Sequence, residues 1–324
     1  MRFGLQIGSE EWGRLRDTAQ AAEALRFDAL YLPDHLVFEG PERQREDRPA
    51  YDPMIQATVL AEATRRVRIG HLVLCNLFRH PAVTARSLAT LDELSGGRAV
   101  AGLGTGWTET EFRMTGIPFP DIGTRLRMLD EALTCLRGLW TEPAFSFAGE
   151  FYRFTEAALL PRPVQRPHPP ILLGGSGKGL LRVAARRADH VNIVSGTGRE
   201  GYISLASAGR LTEESFHAKV RFLRDEAARH GRDGGRIEVS QTIFTLLLVD
   251  SPEQARSMAE TFAGMLGLPP DAVRRSPLFL AGTPDECIVE LRRRKTEWGL
   301  AETIFSLRDP AVLRRLGEQV LPHV

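Results

Sequence analysis

Only three cysteines occur in the 324 residues, Cys75, Cys135 and Cys287, an odd number at wide spacings that suggests neither a disulfide framework nor a zinc cluster. Reduced thiols are expected. No apolar run approaches the roughly 20 residues that a membrane-spanning helix needs. The opening MRFGLQIGSEEWGRL goes straight into a strand-like stretch without the apolar core of a signal peptide, so a cytoplasmic protein is expected. Charge of one sign is also lacking: 42 Lys and Arg stand against 41 Asp and Glu, for a formal net charge of +1. That balance argues against a general nucleic-acid binder or a membrane-surface binder and leaves small molecules as the expected partners. G-x-S-x-G and H-E-x-x-H are both missing, so a nucleophilic hydrolase and a zinc protease have no motif support.

What is present is an alternation. Strand-like runs at Phe3–Ile7, Ala29–Leu32, Val67–Leu74, Ala99–Leu103, Ile171–Leu173, Val191–Val194, Ile237–Val249 and Thr303–Leu307 are separated by helical patterns. The clearest of these are Trp12–Leu25, Pro53–Thr64, Pro81–Leu94, Leu126–Trp140, Leu180–Arg187, Thr212–His230 and Pro252–Leu266. Eight strands alternating with helices predict parallel pairing through right-handed crossovers, and a closed (β/α)8 TIM barrel suits the length better than an open sheet. Residues 1–324 are read as a single domain with two insertions. One is a hairpin at Phe145–Phe154, turning around Gly149; the other, Leu266–Pro284, has mostly loop character.

In such a barrel the active site lies at the carboxyl ends of the strands. Glu10 follows strand 1, Asp34 and His35 strand 2, and Cys75 strand 3; Gly104, Thr105, Gly106 and Trp107 follow strand 4, and Gly174, Gly175, Ser176 and Gly177 strand 5. An imidazole at that mouth can exchange a proton near neutral pH, and a neighbouring carboxylate can fix its tautomer. The dipeptide alone would equally suit a capping Asp beside a surface His; its place at a strand end favours chemistry. GLGTGW lacks the third glycine of a dinucleotide fingerprint, so it is either a tight turn or backbone brought close to a flat ligand, with Trp107 as one wall. ILLGGSGKGLLRV runs strand, glycine turn, helix. It is not a Walker motif, but it aims backbone N–H groups at one point and suits a phosphate on Gly174–Gly177. Two long aperiodic stretches, Glu39–Tyr51 and Ser195–Gly209, are expected to be mobile covers over the mouth, although the first could be no more than a solvated charged face.

The segments YLPDHL, IGHLVLCNLFRHPAVTARSLATLDELSGGRAVAGLGTGW, TGIPF, GEFYRF, PRPVQRPHPPILLGGSGKGLLRVAARRAD and FLAGTPDECIVELRR together resemble the bacterial-luciferase-like superfamily over nearly the whole chain. Within it, RHPAVTARSLATLDELSGGR and TGIPF look most like the coenzyme F420-dependent oxidoreductases of actinobacteria, relatives of the deazaflavin-dependent glucose-6-phosphate dehydrogenases. The resemblance implies that His35 acts on the substrate proton, that Asp34 contacts the deazaflavin, and that Glu10 or Trp107 orients the substrate. It implies a non-prolyl cis bond at Leu72-Val73 behind the ring system, Cys75 beside the ring, and the cofactor phosphate on Gly174, Gly175, Ser176 and Gly177. Trp107 and Thr197 stand where those dehydrogenases carry a glutamate and a lysine for the sugar phosphate, which speaks against glucose 6-phosphate. The implied protein is a homodimeric F420-dependent oxidoreductase. The alternatives are a reduced-FMN monooxygenase using dioxygen, which would need a flavin reductase as partner, and a non-catalytic flavin-binding barrel.

Overall fold

Short runs that are apolar on both faces need cover on both faces, and here each receives it from the barrel interior on one side and a helix on the other. The computed structural model describes residues 1–8, 11–39, 46–196, 208–266 and 268–324. In chain order its strands are β1 (Arg2–Gln6), β2 (Ala29–Leu32), β3 (Arg68–His71) and its short continuation β4 (Leu74–Cys75), β5 (Ala99–Gly104), β6 (Phe145–Ala148), β7 (Arg153–Ala157), β8 (Ile171–Gly174), β9 (His190–Ile193), β10 (Glu238–Ile243), β11 (Thr245–Leu248), β12 (Phe279–Gly282) and β13 (Glu302–Ser306). β1 pairs with β2, β2 with β3, β3 with β5, β5 with β8, β8 with β9, β9 with β10 and β10 with β13, all parallel. β13 then returns to β1, with Arg2 opposite Glu302 and Gln6 opposite Ser306. The sheet is a closed (β/α)8 TIM barrel, as the alternation predicts.

The helices are α1 (Trp12–Ala24), α2 (Pro53–Ala63), α3 (Pro81–Leu94), α4 (Glu109–Thr115), α5 (Ile122–Thr141), α6 (Lys178–Arg187), α7 (Glu213–Arg229), α8 (Pro252–Leu266), α9 (Pro270–Arg274), α10 (Pro284–Trp298) and α11 (Pro310–Gln319). Their starts are written in the sequence. Asp52, Asp121, Thr212 and Asp309 each accept a first-turn N–H, and Thr283 with Glu286 forms a reciprocal capping box on α10. α5 shows what holds such a helix down: Leu129, Leu133, Leu136 and Trp140 fall on one face and are buried, and the Trp140 indole donates to the Ala85 carbonyl at 3.0 Å. Each of these side chains contributes about 1.5–3 kcal/mol of burial, so Leu133→Ala alone would cost about 2–5 kcal/mol.

The hairpin at Phe145–Phe154 is present as antiparallel β6 and β7. Leu266–Pro284 is not a loop. It contains α9 and β12, and β12 lies parallel to β11 with Thr245 opposite Phe279, forming a two-stranded sheet outside the barrel. The covering helices and strands share two large apolar clusters, while the barrel interior holds a smaller one of Ala29, Tyr31, Val100, Leu172 and Ile304, packed against Leu72 and Val73.

Near the amino-terminal end of the strands the interior is polar. The Tyr31 hydroxyl donates to Glu302 Oε2 at 2.9 Å, the His190 Nδ1 lies 3.8 Å from the same oxygen, and His190 Nε2 meets the Ser240 hydroxyl at 2.7 Å. Burial pushes the Glu302 carboxyl up to about 7 and the His190 imidazole down to about 4, so the cluster is held close to neutral form.

Candidate active site

Pro33 ends β2 and turns the chain at the carboxyl-terminal mouth, and the next two side chains part company. The Asp34 carboxylate receives Arg79 Nη1 at 2.6 Å, Arg79 Nη2 at 3.2 Å and the Cys75 backbone N–H at 2.8 Å. Arg79 continues to Asp52 at 3.1 Å, tying the end of β2 to the start of α2 and to the segment after β4. Burial raises the Asp34 carboxyl above its ordinary value, and the Arg79 guanidinium opposes the rise.

His35 turns the other way. Its Nδ1 lies 3.2 Å and 3.3 Å from the two oxygens of Glu111, a residue of the first turn of α4 that is only 2 % exposed. The same carboxylate accepts from the Leu36 N–H at 2.5 Å and the Val37 N–H at 3.4 Å. An acceptor so placed requires the ring proton on Nδ1, which leaves Nε2 as the proton acceptor of the neutral imidazole. Among the described residues Nε2 has no hydrogen-bond partner. Trp107 meets the imidazole edge-on, centroids 5.6 Å apart and planes at 82°, and Phe38 lies 5.4 Å away. The carboxylate that orients the histidine is therefore Glu111, not the adjacent Asp34. Sequence reasoning missed Glu111 and Arg79; the one signal for Glu111 was its place just after GTGW, where a helix opening behind a strand end can aim a side chain back at the mouth.

The other expected site residues gather behind this pair. The peptide between Leu72 and Val73 is cis, as the resemblance implies, and it interrupts β3 before β4 resumes pairing with β5. Glycines make room for the bulge: a Cβ on Gly102 would stand 1.7 Å from the His71 carbonyl oxygen, one on Gly104 2.6 Å from Val73 Cγ2, and one on Gly174 2.9 Å from Val73 Cγ1. Gly106 has φ +73°, a conformation open to glycine, and its carbonyl takes Arg125 Nη1 at 2.8 Å, while Thr105 stays within this turn. Cys75 is buried against Gly106, and burial pushes its thiol up to about 12, so it is packing rather than a nucleophile.

At the end of β8, Gly175 has φ +140° and its N–H donates to the Asn192 carbonyl at 3.0 Å. That amide is thus committed. Gly177 caps α6 with no side chain on the first-turn N–H groups. Around this turn stand Lys178 and the half-buried Lys219, whose Nζ reaches the Ser176 carbonyl at 3.4 Å; burial, then Lys178, lowers the Lys219 ammonium. The Ser195 hydroxyl is buried here without a partner among the described residues, and Ser176 Oγ lies beside Gly196. Glu10 and Thr197 lie outside the described residues, as do 40–45 and 197–207 within the two stretches expected to cover the mouth.

A cavity of about 280 Å³ opens at the mouth, its wall including Gln6, His35, Phe38, Trp107, Phe244 and Arg308. His35 and Trp107 reach it. Asp34, Cys75, the bulge and the Gly174–Gly177 turn are not among its lining residues.

The sequence profile described as luciferase-like monooxygenase matches residues 1–275. The chain belongs to that family. Its relatives in the family include an F420-dependent glucose-6-phosphate dehydrogenase of Nakamurella multipartita, 32 % identical over 90 % of this chain and 80 % of that protein. They also include an FMNH2-dependent dimethylsulfone monooxygenase of Pseudomonas putida, 33 % identical over 76 % of this chain; the match spans only 62 % of the monooxygenase's length. Among solved structures, the coenzyme F420-dependent tetrahydromethanopterin reductase of Methanopyrus kandleri superposes with a TM-score of 0.77 over 99 % of both chains at 19 % identity, a likeness of fold. The luciferase-like chain described here is accordingly an oxidoreductase, built on the barrel its family shares.

Proposed function

We propose that this chain is an F420-dependent oxidoreductase that moves a hydride between C5 of the deazaflavin and a small organic substrate, with His35 handling the accompanying proton. The observation that carries the catalytic part is the His35–Glu111 pair, a buried carboxylate fixing Nδ1–H of a histidine that lines the cavity, with Nε2 unpartnered among the described residues. Trp107, edge-on to the imidazole, would restrict the substrate to one side of it.

The residues present fit a phosphate-bearing flat cofactor. The uncapped start of α6, the Ser195 hydroxyl, which has no partner among the described residues, and two lysines make an anion cradle, and the glycines of β5 and β8 leave room for the bulge. When bound, the deazaflavin would supply hydride donation or acceptance at a carbon centre. The protein's part is to hold it over Leu72-Val73, to keep Asp34 clamped on Arg79 beneath the same mouth, and to place the substrate against His35.

F420 is favoured over FMN by extent: an F420-dependent relative from Microbacterium testaceum matches this chain over 100 % of its length and 97 % of its own, whereas the FMNH2-dependent relative matches over part of its length. The sugar-phosphate substrate named for the F420 relatives is not carried over: the resemblance implies a glutamate at the position where this chain has Trp107, which stands edge-on to His35. The slightly higher identity to the monooxygenase keeps reduced FMN with dioxygen as the second reading.

Anaerobic titration with F420 and FMN side by side, followed by F420 absorbance with candidate substrates, separates them. Turnover seen only with reduced FMN and oxygen would overturn the F420 assignment. His35→Ala should lower turnover by about 10²–10⁴ with cofactor affinity nearly unchanged; lost binding without lost turnover would make His35 a cofactor ligand instead.

A further inference from the structure

The cavity at the mouth combines polar and aromatic lining. β1 and β13 run together with Gln6 opposite Ser306, and these two residues, with Arg308 two residues further on, supply polar groups; the Gln6 amide donates to the Leu72 carbonyl at 3.4 Å. Trp107, Phe38 and Phe244 supply aromatic rings, Phe244 just after β10, the strand that pairs with β13. The remaining charged lining residues, Glu39 and Arg48, belong to the same connection after β2; Arg48 is engaged with Glu46 and lies 3.8 Å above the Phe38 ring.

Arg308 has no such occupation. It is exposed, and no carboxylate among the described residues lies within ion-pairing reach of it; its neighbour Asp309 spends its own carboxylate on the Ala311 N–H at 2.8 Å. A guanidinium offers donors in a planar fork that matches a carboxylate, and here it projects from the rim of the cavity that holds the oriented histidine.

We propose that the substrate is a small, flat, largely apolar molecule bearing a carboxylate, its body against Trp107 and Phe38 and its carboxylate on Arg308. This deepens the reading of the mouth as the catalytic site and rests on it. The arrangement gives recognition and chemistry to different residues: His35, packed beside Trp107 and Phe38, meets the body of the molecule, while the charge is held on Arg308, two residues past β13. A cavity of about 280 Å³ suits a body of roughly one ring and a short chain. Because Arg308 is exposed, its contribution is that of a solvent-screened pair, up to about a fivefold preference, and it should fade with added salt.

The test uses trans-cinnamate and its neutral counterpart cinnamamide, titrated calorimetrically into the full-length protein at low salt. The wild type should bind cinnamate about fivefold tighter than cinnamamide. Arg308→Gln should bind the two equally, and Arg308→Lys should keep part of the preference; unchanged thermal midpoints would show that both variants are folded. Equal binding by the wild type, a preference that survives Arg308→Gln, or no binding of either compound would overturn the proposal. A parallel F420 titration of the wild type decides the cofactor independently, so failure of the carboxylate assignment and failure of the F420 reading give different results.

Discussion

Glu111 lies 76 residues from His35 in sequence and holds its Nδ1 at 3.2 Å, while Asp34, the immediate neighbour of His35, faces Arg79 instead. The two acids thus divide the work at the mouth. One orients an imidazole; the other braces the backbone that carries it.

Glu111→Gln should leave the fold intact and lower turnover, because an amide can still accept from Nδ1–H but without the charge of a carboxylate. A loss of about tenfold or more in kcat with little change in KM or cofactor affinity is expected. An unchanged kcat, or a loss confined to KM, would reduce Glu111 to packing.

Arg79→Ala leaves the Asp34 carboxylate buried with the Cys75 N–H as its remaining donor. Chemical denaturation should show a loss of about 3 kcal/mol or more, as expected when one partner of a buried pair is removed. The double change Asp34→Asn with Arg79→Met should recover much of it. A double variant no more stable than Arg79→Ala would mean that the pair is not the source.

Gly175→Val places a Cβ 2.5 Å from Leu180 Cδ2 at a residue whose φ is +140°, a conformation that side chains rarely adopt. The turn before α6 must move, at a cost of about 1–3 kcal/mol, and F420 affinity should fall at least about tenfold. Absorbance titration reads this directly; unchanged affinity would remove the turn from the cofactor site.

Glu302 gives a pH-dependent stability with a defined sign. Its carboxyl is pushed up to about 7 in the folded chain against an ordinary value of 4.5, so the folded state keeps a proton that the unfolded state releases. Stability from this group is intact below pH 4.5 and is lost as pH rises to about 7, a change on the order of 3 kcal/mol. Glu302→Gln carries no such proton, so its stability relative to the wild type should be greater at pH 8 than at pH 5. Urea unfolding of both proteins at the two pH values measures this, and taking the difference cancels much of what His190 contributes. Equal differences at both pH values would show that Glu302 is not held neutral.

The barrel was legible because its eight strands are parallel and buried on both faces, so each appears as an uninterrupted apolar run such as Ala29–Leu32 or Ile171–Leu173. β12 was hidden for the opposite reason. Four residues after a proline-rich approach carry too short a pattern, and their partner β11 merges in sequence with β10 across Phe244. α10 and α11 carry charge runs, Arg292 to Lys295 and Arg314-Arg315, that mask their apolar period, although the Thr283–Glu286 box and Asp309-Pro310 announced both starts. At the site, His35, Trp107 and the glycine turns were visible because strand ends are known positions in a barrel. Glu111 and Arg79 were not, because their partners are fixed only when α4 and the segment after β4 fold back over the mouth.

The bulge between β3 and β4 sits in space kept empty by Gly102, Gly104 and Gly174. In a saturation-mutagenesis map of this protein, those three positions should stand out as intolerant as any reactive residue, though none offers a functional group and none need touch a ligand. A search for the active site by mutational sensitivity would therefore find the room that the bulge needs as readily as any reactive side chain.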